Sequence, residues 1–122
     1  SAVFDQGPHS KFLCAVFAFR ASYELENKDA VRAFVRAVDK ASRTINKDPL
    51  AYRKLASQWR LIPPDLKADF TPPTYPVAAI PTRDQFNDAV DWLQESGRLS
   101  SVPLYDDVVS TSYVQKEEEK AR

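Results

Sequence analysis

Phe12-Leu13-Cys14-Ala15-Val16-Phe17-Ala18-Phe19 is the stretch on which the fold reading turns. Leu13, Ala15, Phe17 and Phe19 fall on one side of an extended chain, and Cys14, Val16 and Ala18 on the other. Apolar residues on both alternating faces mark a strand covered on both sides, as in the core of an α/β sheet. Gly7-Pro8 just upstream favours extended structure over a short buried helix. The reading predicts an α/β fold: a mainly helical chain with one main strand over residues 12–19. A lone strand leaves its backbone donors and acceptors unpaired, and burying them that way is costly. The remaining segments make poor partners, because Pro76 and Pro81 flank one and residues 108–114 are partly polar. The sheet is therefore expected to be completed by missing chain or by a second copy.

Downstream, the pattern changes to a helical period. Val31, Phe34, Val35, Val38, Ala41 and Ile45 recur at helical spacing, with Arg32, Arg36, Asp39, Lys40 and Arg43 on the other side. Asn27 is the expected N-cap and Asp29 suits the positive helix end. This predicts a helix over about 28–47. Asp48-Pro49 then restarts the chain, aspartate as cap and proline at the first helical position. Leu50, Leu55, Ala56 and Trp59 give the inner face of a second helix over about 49–60, ending before Pro63-Pro64.

Pro63, Pro64, Pro72, Pro73, Pro76 and Pro81 exclude a long helix and a central strand between them. Phe70, Tyr75 and Ile80 point to an ordered crossing, since mobile linkers seldom carry such side chains. Thr82-Arg83-Asp84-Gln85 reads as a capping box opening a helix over about 83–96. Phe86, Ala89, Val90 and Leu93 form its inner face, and Gly97 supplies the left-handed stop. A short element over about 105–110 follows, and 115–122 reads as a polar tail.

Composition bounds the function. The 122 residues suit one domain, and 43% hydrophobic with 28% charged residues is a globular profile. Seventeen basic residues balance seventeen acidic ones, with neither the basic excess nor the basic face of a nucleic-acid binder. No nucleic-acid partner is expected. No apolar stretch reaches the roughly 18 residues of a membrane span, and the first residues lack a signal-peptide pattern.

Catalytic supply is poor. One histidine, His9, and one cysteine, Cys14, cannot furnish the common triads or zinc sets, and two glycines make no phosphate cradle. Asp106-Asp107 and Asp88 with Asp91 sit at ordinary surface or cap positions. Trp59 and Trp92 read as core packing. No enzyme activity, cofactor or metal is expected. His9, with Ser10, lies in the loop before the expected strand, a place where binding groups occur.

In order, these pieces resemble the C-terminal part of the solute-binding proteins of ABC importers for nitrate, sulfonate, taurine and thiamine precursors. In that family an apolar strand and short turn precede a helix opening at an Asn-Pro-Glu-like start. Here Glu26-Asn27-Lys28-Asp29-Ala30 stands there, with Lys28 where proline is usual. Asn46-Lys47-Asp48-Pro49 matches the second Asn-x-x-Pro start, and Asp91-Trp92-Leu93 with Gly97 and Leu99 matches the family's Asp-Trp-Leu…Gly-x-Leu. Asp107-Val108-Val109 with Tyr113-Val114 resembles its closing pattern. The likeness covers residues 8–114, and no single element of it is specific.

The resemblance implies a C-terminal segment, 1–114, of a type II periplasmic-binding-protein-like lobe. Such a protein captures a small solute between two lobes by hinge closure and delivers it to ABC permease subunits. It implies a periplasmic or extracytoplasmic location, with a membrane-tethered lipoprotein as one form. His9 and Ser10 would lie near the hinge and cleft as ligand-binding residues. The alternative is a non-enzymatic helical interaction domain that forms a homodimer through its strand.

Overall fold

Helices are the whole of the regular structure in the computed structural model, which describes residues 15–114. They are α1 Ala21–Glu26, α2 Lys28–Lys47, α3 Pro49–Gln58, a 3₁₀ turn at Pro64–Leu66, α4 Arg83–Glu95 and α5 Tyr105–Val108. No strand forms among the described residues. This corrects the α/β expectation.

Residues 12–14 of the expected strand lie outside the described residues, as does the tail 115–122. Residues 15–20 adopt neither helix nor strand and are all exposed, Phe17 at 69% and Val16 at 55%. The physical reason is pairing. Alternating apolar side chains favour burial on a sheet, but the ladder needs a second strand. Residues 105–108 are helical, and the proline-rich crossing turns at Ala78, whose φ is 49°. Residues 15–20 are exposed and form no ladder, so the strand reading is overturned over those residues.

The chain divides into two units. Among the described residues one holds 15–23 and 80–112, the other 24–79 and 113–114.

In the second unit, α2 packs on α3. Val31 and Ser42 on α2 are buried, and Val35, Val38 and Ile45 are half-buried along the same side. Asp48 ends α2 and caps α3, its carboxylate accepting from the Ala51 N–H at 3.3 Å, with Pro49 in the first turn. The end of α3 closes through Arg60 N–H to Ser57 O (3.1 Å) and Leu61 N–H to Ala56 O (2.9 Å). That bond pair is a Schellman motif, which needs a left-handed residue and here takes it from Arg60 at φ 56°.

The crossing after α3 is ordered by side-chain bonds to its backbone. Asn46 donates from Nδ2 to Tyr75 O (2.7 Å) and accepts from Tyr75 N–H (2.8 Å). Its amide thus satisfies both backbone groups of one residue, as a neighbouring strand would. Asp39 accepts from the Ala78 N–H at 2.8 Å, and Arg53 donates to Ala68 O at 3.0 Å. Ile62 and Pro72 are buried and Phe70 and Ile80 half-buried, whereas Tyr75 is 40% exposed, so polar ties add to the apolar packing of this strap.

In the first unit, α4 opens on a complete capping box. Gln85 N–H donates to Thr82 Oγ1 (3.2 Å) and Thr82 N–H to Gln85 Oε1 (3.0 Å). It closes on a second Schellman motif: Gly97 N–H to Gln94 O and Arg98 N–H to Leu93 O, both 2.9 Å, with Gly97 at φ 70°. Val90 is buried and Phe86, Ala89 and Leu93 are half-buried. Tyr105 of α5 packs edge-on against Phe86, 5.5 Å between centroids, and donates its hydroxyl to Pro81 O. Arg83 lies 4.4 Å above the Tyr105 ring and pairs with Asp106 at 2.7 Å.

Candidate functional site

His9 and Ser10, the ligand-binding residues of the sequence reading, lie outside the described residues, as does Cys14. Asp88, Asp91 and Asp107 are exposed, and Asp106 is engaged by Arg83. Among the described residues no group of histidine, cysteine, aspartate or glutamate side chains could hold a metal.

Both tryptophans depart from the expected core role, Trp59 at 73% exposure and Trp92 at 56%, the latter under the Arg98 guanidinium at 5.2 Å. They are part of a wider imbalance. Val31, Ile62, Val90 and Tyr113 are the buried hydrophobic residues among those described. Exposed large hydrophobics run from Val16, Phe17 and Leu25 through Leu50, Leu61 and Leu66 to Val102, Leu104 and Val108. Folded chains do expose single apolar side chains freely, but seldom with so few buried to set against them.

Three local features carry chemistry. The first joins Tyr113, Glu24 and Arg32. Tyr113 is buried and donates its hydroxyl to Glu24 Oε1, while Arg32 stands 6.0 Å over its ring and pairs with Asp29 at 2.8 Å. The hydrogen bond to the Glu24 carboxylate, then burial, raises the Tyr113 pKa above 10.0, and the Arg32 charge opposes the rise. This is a structural tie, since the phenol is held neutral and turned to a carboxylate. The second is an open depression of about 660 Å³ at the end of α3, lined by Ser57, Gln58, Arg60, Ile62, Pro64 and Lys67 among others. It is half open, and its lining offers no nucleophile–base pair.

The third is a segregation of charge that the even balance of the whole chain conceals. α2 carries Lys28, Arg32, Arg36, Lys40, Arg43 and Lys47, all exposed, against Asp29 and Asp39. Those acids are occupied, Asp29 by Arg32 and Asp39 by the Ala78 N–H. α4 carries Asp84, Asp88, Asp91 and Glu95, all exposed, and Arg83 alone of the opposite sign. The expectation of no basic face overlooked this, because counting charges along a chain averages over faces. A period of three and four in the charged residues was the available signal.

No protein-family model, curated protein or solved structure matches this chain.

Proposed function

We propose that this chain is a non-catalytic segment of a solute-binding protein serving an ABC importer. The reading is supported by the order of its helix boundaries. An asparagine-led start at Asn27, an Asp48-Pro49 restart, a tied proline-bearing crossing, and a capped helix bearing Asp91-Trp92-Leu93 before Gly97 follow one another as in that family. The observation that carries it furthest is the imbalance of burial. Val16, Phe17 and Leu25, with Leu61, Val102 and Leu104 further along the chain, are exposed apolar residues of the kind a larger binding protein would cover. In this reading the described segment is covered by polypeptide beyond it.

The partners are then a small solute and the permease subunits, and His9 and Ser10 are the candidate solute contacts of this segment. The test is calorimetric titration, with small anions, sulfonates and pyrimidines, of the full product of the reading frame that contains this sequence. Micromolar binding of one of them supports the reading. A frame with no coding region for a further lobe, or a full product that binds none of these solutes, sinks it.

A further inference from the structure

We propose that the depression at the end of α3 binds a phosphate monoester carried on a small aromatic body. Arg60 and Lys67 both line it, with Ser57 and Gln58 as neutral polar groups and Leu61 and the buried Ile62 as apolar surface. Among the described residues no acid lines it. Neither Arg60 nor Lys67 forms an ion pair among the described residues. Its volume of about 660 Å³ falls within the roughly 300–1,000 Å³ of small-molecule sites.

What singles this depression out is the residue at the turn beside it. Arg60 has φ 56°, an angle at which glycine is the favoured residue. Residues held in such regions cluster at ligand-binding sites, where the surrounding structure over-determines them. Here the N–H groups of Arg60 and Leu61 fix the angle through their bonds to Ser57 O and Ala56 O. Glycine would close α3 with less strain and leave the depression one cation short. The chain carries arginine there.

Two further features suit an anion. Free carbonyl groups at a helix C-terminus repel negative charge. At this end Leu55 O, Ala56 O and Ser57 O already accept from the N–H groups of Trp59, Leu61 and Arg60. The segment bearing Lys67 is also tied down. Arg53 on α3 donates to Ala68 O at 3.0 Å, and the Leu66 N–H bonds Pro63 O at 3.0 Å. Both cations therefore stand on hydrogen-bonded backbone within one unit.

Charge selects the ligand. A phosphate monoester carries about −1.5 to −2 at pH 7, which two cations balance, whereas a carboxylate leaves one of them unmatched. Leu61 and Ile62 offer an attached ring apolar contact that inorganic phosphate cannot use. Because the depression is half open, the charges are partly screened, so affinity is millimolar and falls with salt. The proposal is independent of the solute-binding reading, whose candidate contacts are His9 and Ser10.

The experiment is a titration of the isotopically labelled chain with phenyl phosphate, read by amide chemical shifts, with phenol, inorganic phosphate and benzoate for comparison. Phenyl phosphate should give saturable shifts centred on residues 53–68 and bind at least about fivefold tighter than each comparison ligand. Lys67→Ala and Arg60→Gly should each weaken it by a similar factor. Arg60→Gly is the decisive variant, because it removes the guanidinium while relaxing the turn, and unchanged shifts elsewhere verify the fold. The proposal is overturned by shifts that do not saturate, that centre outside this segment, that persist at wild-type affinity in both variants, or that any comparison ligand produces equally well.

Discussion

Replacing Arg60 with glycine should stabilise the end of α3, and replacing Gly97 with alanine should destabilise the end of α4 by a similar amount. The two helices close with the same pair of backbone bonds, and the residue at the turning point is left-handed in both, φ 56° at Arg60 and 70° at Gly97. One site has glycine and the other has a side chain. For an L-residue the left-handed conformation costs about 1–2 kcal/mol, from the approach of Cβ to the carbonyl oxygen. Glycine removes that cost but is freer in the unfolded chain, which returns roughly 0.5–1 kcal/mol. The net gain expected for Arg60→Gly is then about 0.5–1 kcal/mol.

Gly97 gives the same balance in reverse, and the structure isolates it. A Cβ built there meets no heavy atom within 4 Å, so no steric clash adds to the torsional cost. The loss expected for Gly97→Ala is again about 0.5–1 kcal/mol. Urea unfolding followed by circular dichroism at 222 nm reads both, with a slope of about 1–3 kcal/mol per molar for a chain of this size. The midpoints should move by a few tenths of a molar, upward for Arg60→Gly and downward for Gly97→Ala, at unchanged slope. Arg60→Ala is the control, since it removes the guanidinium and keeps the strain. It should stay near wild type. A midpoint lowered by Arg60→Gly, or raised equally by Arg60→Ala, would refute the reasoning, for the effect would then come from the arginine side chain.

Thr82→Ala removes one half of the capping box and should cost about 1 kcal/mol, seen as a lower urea midpoint and faster amide exchange at Gln85. Asn46→Ala releases both backbone groups of Tyr75, so the amides of Tyr75 and Ala78 should exchange faster while α2 keeps its protection; unchanged exchange would mean the strap is held otherwise. Tyr113 has a folded pKa raised above 10.0, so its contribution to stability is complete below that pH and is lost as pH rises through the folded value. Absorbance at 295 nm should show a late ionisation step that Tyr113→Phe abolishes.

What the sequence disclosed follows the range of the interactions involved. The start of α3 and both ends of α4 were readable because a cap depends on residues within one turn: Asp48 before Pro49, Thr82 with Gln85, and Gly97 past the last helical residue. Arg60 escaped notice because nothing about arginine announces a left-handed angle; the two bonds from residues 60 and 61 impose it. The strap was expected to be ordered through Phe70, Tyr75 and Ile80, and its polar ties were not foreseen. Asn46 and Asp39, 29 and 39 residues from their partners, could not be matched to Tyr75 and Ala78 without coordinates.

The apolar run at 12–19 shows the converse limit. Alternation reports which environment a segment would suit, and it carries no information on whether that environment is supplied. Over residues 15–19 no ladder forms: Phe17 and Val16 are exposed, and no strand is present among the described residues. The same logic applies to the charged faces of α2 and α4, which are complete as patterns whether or not anything lies against them. An exposed apolar stretch and a charged helix face make different demands. The first has no low-energy free state, because exposed apolar area is penalised in water wherever it occurs. The second is well solvated alone and gains only modestly on pairing. Shielding of the first should therefore persist in high salt, whereas pairing of the second should be lost there. Salt thus separates the two kinds of surface in a single chain.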